Sequence, residues 1–170
     1  MITLISEKIP KILKSKKILE EKLNVKISNN GKEITIEGTP EDEYIAEQII
    51  EAINLGFQIS TAIAIKKEDF IFEKINIKNY TNSKNLERVR GRIIGKGGKA
   101  LKNLSLLTKC RLSIDGNKIG IIGEYQYVKN AKEAIISLAR GSKHGNVYAF
   151  LEKNHPLPIF DLGLKEMKKK

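Results

Sequence analysis

One feature constrains the fold of this chain more than any other: it repeats itself. Shifted by 85 positions, residues 25–56 align with residues 110–141 without a gap, and eight of the 32 positions are identical. Ser28 meets Ser113, Gly31 meets Gly116, Ile34 meets Ile119 and Ile36 meets Ile121. Gly38 meets Gly123, Ala46 meets Ala131, Ile50 meets Ile135 and Gly56 meets Gly141. Both stretches read as a strand, a glycine-containing turn, a second strand and then a helix. The chain is therefore two copies of one small unit of mixed strands and helices.

The second copy is complete. Phe70–Ile77 alternates and is rich in β-branched and aromatic residues, which predicts a strand. Leu86–Ile94 predicts a short helix, Gly95–Gly98 a break, and Lys99–Leu107 a second helix with apolar residues at helical spacing. Arg111–Asp115 and Ile119–Ile122 are strands joined through the tight-turn pair Asp115-Gly116. Tyr125–Arg140 is a helix with Val128, Ala131, Ile135 and Leu138 on one face. The order is β-α-α-β-β-α. In the first copy the strand Ile2–Ile5 is followed by too few residues for two helices and a loop. One helix, roughly Pro10–Leu23, is expected to replace both, with Pro10 where a helix can begin. The slot aligned with Gly95–Gly98 holds Pro10-Lys11-Ile12-Leu13 and no glycine. Ser60–Ile65 predicts a short linker helix, and Asn146–Lys153 a C-terminal one. The expected division is 1–68 for a degenerate unit plus linker, 69–155 for the intact unit with its C-terminal helix, and 156–170 for a tail. That tail combines Leu157, Ile159, Phe160, Leu162 and Leu164 with four lysines, which suggests docking onto a partner.

The charge points to a polyanion. Thirty-one Lys and Arg against 20 Asp and Glu leave a net +11, which favours nucleic acid. The charge is also concentrated. Residues 84–118 hold ten Lys or Arg and only Glu87 and Asp115 against them, whereas residues 33–51 hold seven acids and no base. One copy suits RNA and the other a protein or plain solvent. A single cysteine, Cys110, excludes an internal disulfide and suits a reducing cytoplasm. With His144 and His155 it is too little for a structural zinc site. No stretch is apolar enough to span a membrane, and no signal peptide is visible. No cofactor is expected.

Glycine at three of four positions in Gly95-Lys96-Gly97-Gly98 lets the chain turn sharply and lets a phosphate approach the main chain. The loop runs straight into a helix N-terminus, whose free N–H groups and dipole favour an anion. Lys96 and Lys99 add cations, with Lys102 and Arg111 in the same basic window. Arg88 and Arg92 lie four apart on one helix face. Ile93, Ile94, Leu112 and Ile114 are candidates for an apolar floor under the bases. The spacing fits neither the nucleotide-binding P-loop nor the dinucleotide fingerprint.

Ile93-Ile94-Gly95-Lys96-Gly97-Gly98 between two helices, in the order β-α-α-β-β-α, resembles a type I KH domain. In that family the Gly-x-x-Gly loop clamps about four unpaired nucleotides. The resemblance implies an α+β fold of two tandem type I KH units, the first degenerate. Val89–Lys99, Ile121-Ile122-Gly123 and Leu138–Glu152 are further similar to the archaeal Dim/Pno family of two-KH proteins. Arg140-Gly141-Ser142-Lys143-His144-Gly145 is the most specific part of this likeness. It implies a non-catalytic factor of small-subunit ribosome maturation that binds single-stranded rRNA near the 3′ end of 16S rRNA. Implied partners are the Nob endonuclease, the rRNA dimethyltransferase and the α subunit of translation initiation factor 2. The alternatives are an mRNA-binding translational regulator and a KH-containing RNA-processing enzyme. A nuclease would need clustered acids at the RNA face for metal ions, and the basic window has two.

Overall fold

Both copies fold, and the alternation of β-branched residues against 3.6-residue apolar spacing decides where strands give way to helices. The computed structural model describes residues 1–155; the tail expected at 156–170 lies outside the described residues. The first copy comprises β1 (Ile2–Ile5), α1 (Ile9–Lys14), α2 (Lys16–Leu23), β2 (Lys26–Asn30), β3 (Glu33–Glu37) and α3 (Pro40–Asn54). A linker helix, α4 (Ile59–Ile63), tightens into a 3-10 turn over Ala64–Lys66. The second copy comprises β4 (Phe70–Asn76), α5 (Leu86–Ile94), α6 (Lys99–Thr108), β5 (Arg111–Asp115), β6 (Lys118–Glu124) and α7 (Tyr125–Ala139), followed by α8 (His144–Lys153).

Each copy forms a three-stranded antiparallel sheet, ordered β1-β3-β2 and β4-β6-β5. The repeat is visible in the register. Ile27 pairs with Ile36 and Leu112 with Ile121, both members displaced by the same 85 positions. Gly31 and Gly116 turn the two hairpins at the same φ of +58°, and Asn24 and Lys109 both adopt φ +55° at the preceding helix end. The first strands are offset differently. Leu4 pairs with Ile34 and Ile75 with Ile119, an offset of 71, so the first copy is shorter by 14 residues between its first and second strands.

The shortfall does not fuse the helices. The single helix expected over Pro10–Leu23 is two, α1 and α2, broken at Ser15 (φ −109°, ψ +13°). Ser15 N–H donates to Ile12 O at 3.1 Å, a tightened final turn. Ile12 of α1 and Leu19 of α2 are both fully buried in the core. The α+β order β-α-α-β-β-α is thus present twice; what the first copy lacks is the glycine loop. Pro10–Leu13 lies inside α1.

In the first core Ile49, Ile50 and Ile53 of α3 cover Ile27, Ile34 and Ile36. In the second, Val128, Ala131, Ile135 and Leu138 of α7 cover Ile75, Ile119 and Ile121, with Val89, Ile93 and Leu104 from α5 and α6. Each fully buried aliphatic side chain contributes about 1.5–3 kcal/mol. The sheets differ on their other faces. β3 alternates buried and open positions, whereas β6 is buried without interruption from Ile119 to Gly123. The first copy causes this: Phe57 and Phe72 meet edge-to-face at 6.2 Å, and Ile122 joins the first core. A Cβ on Gly120 would stand 2.6 Å from the Phe57 ring, so only glycine admits that packing. α8 packs on α6 and α7 through buried Val147 and Leu151, with Phe150 partly covered.

Candidate nucleic-acid interface

The glycine loop is built by two different uses of glycine. α5 ends as Gly95 N–H donates to Gly91 O at 2.8 Å, and Gly95 turns at φ +74°, ψ +173°. A Cβ there would lie 2.5 Å from Ala100 Cβ and 2.7 Å from Ala100 N, so the start of α6 presses directly on this residue. Gly97 (φ +63°) and Gly98 (φ +76°) also need the left-handed region, but nothing lies within 4 Å of their absent side chains. Gly95 therefore closes the helix pair, while Gly97 and Gly98 leave the backbone at the tip bare.

α6 starts from Gly98 with no side-chain cap and no acid in its first turn, while Gly98 N–H and Lys99 N–H donate within the loop to Gly95 O at 3.2 Å and to Lys96 O. The positive end of the helix dipole there suits an anion. Lys96, Lys99 and Lys102 are exposed around it. Ile94 is half-buried at the end of α5. Ile93, one residue back, is fully buried and belongs to the core beneath the groove. On the hairpin side Arg111 is exposed, and Leu112 and Ile114 are half-buried along the edge strand β5. Arg111 and Leu112 share a hollow of about 250 Å³ with Gln58 and Thr61 of the first copy. Sequence reasoning treated that segment as linker and missed it.

Arg88 and Arg92 share one face of α5, as their spacing predicts, but that face looks away from the loop into a second concavity. Arg92 is anchored there: its guanidinium donates to Leu138 O at 3.0 Å and Ser142 O at 2.6 Å. His144 Nε2 lies 2.7 Å from Arg92 O. The segment that follows α7 is thereby tied to the helix that carries the loop.

A glycine-tipped helix pair, facing a β-hairpin across a basic groove, defines a KH protein of type I. Residues 71–156 match the family of the second KH domain of PNO1 proteins, described as a eukaryotic-type KH domain, KH-domain type I. A KH domain-containing protein of Methanocaldococcus jannaschii is 36% identical over 81% of this chain and 64% of its own length. The pre-rRNA-processing protein pno1 of Aspergillus fumigatus is 36% identical over 63% of this chain and 44% of its own. The chain thus spans less than two thirds of the curated relatives it matches. Among solved structures, Dim2p from Pyrococcus horikoshii superposes with a TM-score of 0.83 at 32% identity, over 89% of this chain and 98% of that one. A complex of a/eIF2alpha, aDim2p and rRNA from the same organism gives 0.81 at 30% identity, over 89% and 92%. This chain belongs to the Pno1/Dim2-type KH family.

Proposed function

We propose that the chain is a non-catalytic, cytoplasmic RNA-binding factor of small-subunit ribosome maturation. It holds single-stranded RNA near the 3′ end of 16S rRNA in the groove of its second KH unit. The observation that carries this is the loop: no side chain at Gly97 and Gly98, an α6 N-terminus with no side-chain cap and no acid in its first turn, and exposed Lys96, Lys99 and Lys102. The phosphate backbone lies along Gly95–Lys99, and the bases lie toward Ile94 and Leu112 with Arg111 at the far wall. Residues 69–155 form the RNA-binding domain. Residues 1–68, with an acidic α3 and no glycine loop, do not bind RNA on their own. Support for the rRNA target comes from relatives named as pre-rRNA-processing proteins and from the neighbour solved with rRNA. That same complex makes the initiation factor's α subunit the first protein partner to test, ahead of the Nob endonuclease and the dimethyltransferase.

The test is Lys96→Asp with Gly97→Asp. An Asp side chain at Gly97 has no neighbours to displace, Lys96 is exposed, and Asp tolerates the left-handed region better than most residues. The double variant should keep its unfolding transition and lose at least about tenfold in affinity for a single-stranded 16S 3′-end oligonucleotide, since two negative charges now face a phosphate. A folded variant with wild-type affinity refutes the assignment.

A further inference from the structure

The concavity on the far side of α5 is larger than the hollow beside β5 and carries no assignment. It encloses about 940 Å³ between the Lys78–Ser83 segment, α5 and the C-terminal end of α7. We propose that it is a second RNA site, which takes the strand after it leaves the KH groove. This rests on the RNA-binding reading of the groove and extends it.

The lining selects for a nucleotide strand. Lys78, Arg88 and Arg140 come from three separate elements and converge there, and no carboxylate lines the cleft. Among the described residues none of the three lies within 4.0 Å of an acidic side chain. The end of a helix should make this place unwelcoming to anions, because the last carbonyls of α7 carry its negative pole. Arg92 offsets that pole by donating to Leu138 O in the last turn of α7 and to Ser142 O just beyond it, which sets a guanidinium in the wall. The Arg140 guanidinium sits 6.0 Å from the centroid of the half-buried Tyr80 ring. The guanidinium lies over the ring and leaves its own outer plane as a stacking platform for a base, whichever base it is. Positive charge at Lys78, Arg88 and Arg140 for the phosphates, with the stacked Arg140–Tyr80 pair offered to a base, fits single-stranded RNA better than an acidic peptide, which gains nothing from the stack.

The two sites are joined by α5 itself. Arg88 precedes Gly95 by seven residues, about 10 Å along the helix axis at 1.5 Å per residue. A strand emerging from the groove needs only a few further nucleotides to reach the cleft. The loop would hold the register and the cleft would add affinity for long RNA.

The test uses the full chain with Lys78→Ala and Arg140→Ala together, and Arg88→Ala separately. Lys78, Arg88 and Arg140 are exposed, so the fold should survive each change. Two RNAs are titrated: a four-nucleotide oligomer that fills the groove, and a version extended by several nucleotides at both ends. The double variant should bind the short RNA within about twofold of wild type and the long RNA about tenfold more weakly. Its log–log salt slope on the long RNA should be shallower by roughly 1.4, from two lost phosphate contacts at ~0.7 each. Arg88→Ala should reduce the long-RNA slope by roughly half as much. Unchanged affinity and slope on the long RNA overturn the proposal. So does loss of poly-glutamate binding with long-RNA binding intact, which would give the cleft to an acidic protein segment. Failure of the wild type to bind the short RNA sinks the groove reading instead, and the long-RNA comparison still decides the cleft.

Discussion

Replacing Gly95 and Gly97 in turn by alanine should separate two roles that one loop combines. At Gly95 the backbone conformation, φ +74° and ψ +173°, belongs to a region that is essentially glycine's alone, and forcing another residue into it costs about 1–3 kcal/mol. The new methyl would also overlap Ala100, at 2.5 Å from its Cβ and 2.7 Å from its N. Relieving such an overlap moves the start of α6 and costs about 1–3 kcal/mol more. Gly95→Ala should therefore lose roughly 2–6 kcal/mol, a large part of a total that for most domains is about 5–15 kcal/mol. Gly97→Ala pays only the left-handed conformation, about 1–2 kcal/mol, because nothing lies within 4 Å of it. Urea denaturation reads the difference as a shift in midpoint at constant slope. In thermal melts each kcal/mol moves a chain of this size by about 2–4 °C. RNA titration should reverse the ranking of effects relative to stability: Gly97→Ala stays folded yet weakens binding, because its methyl occupies the path of the phosphate backbone. If Gly95→Ala is no less stable than Gly97→Ala, the close approach of α5 and α6 is not what makes the loop, and the argument fails.

Gly120→Ala should destabilise the chain by about 1–3 kcal/mol through its overlap with Phe57 and weaken short-RNA binding, because that contact fixes the hairpin wall of the groove; denaturation beside RNA titration checks this. The buried Cys110 thiol is pushed from 9.0 up to about 11, chiefly by burial. It should therefore resist iodoacetamide at pH 8 in the folded chain and react once urea unfolds it. The sign for stability follows: the folded state holds the proton more tightly, so this contribution is whole below pH 9 and falls as pH rises through about 11. Binding of a four-nucleotide RNA should weaken with salt at a log–log slope near −2, for about three neutralised phosphates at ~0.7 each. A slope near zero would exclude a phosphate clamp.

The repeat and the strand order were legible because each rests on local periodicity that tertiary packing reinforces. Val128, Ala131, Ile135 and Leu138 were readable as one face, and all four are buried. The break at Ser15 was not readable. Lys16–Leu23 continues the helical pattern of Ile9–Lys14, and neither glycine nor proline separates them. The site was legible where its physics is in the backbone, as at Gly95–Gly98. It was not legible where long-range packing decides. Ile93 and Ile94 look alike in sequence, yet one is sealed in the core and the other half open. The i,i+4 spacing placed Arg88 and Arg92 on one face but could not say which wall of the unit that face would meet. Lys78, Tyr80 and Arg140 are brought to the same cleft from positions more than sixty residues apart at the extremes, and no local pattern joins them.

If the second copy grips RNA as proposed, the degenerate copy has a bracing task that requires no loop of its own. A groove that binds a flexible strand gains affinity when its walls are already fixed, since less motion is lost on binding. The helix wall of this groove is fixed from within the second copy: Arg92 ties α5 to the end of α7, and His144 at the start of α8 approaches the Arg92 carbonyl. The hairpin wall is fixed from outside it. Ser113 on β5 donates its hydroxyl to Leu55 O at 2.7 Å, and Phe57 rests against Gly120 on β6. Both contacts come from the turn between α3 and α4, at the end of the first copy. The first sheet needs no second cover, and its β3 keeps one face open. The second sheet is clasped on both faces, and it is the one that backs the glycine loop. Loss of the loop in the first copy and burial of both faces of the second sheet are thus consistent with one division of labour, in which one unit braces and the other grips.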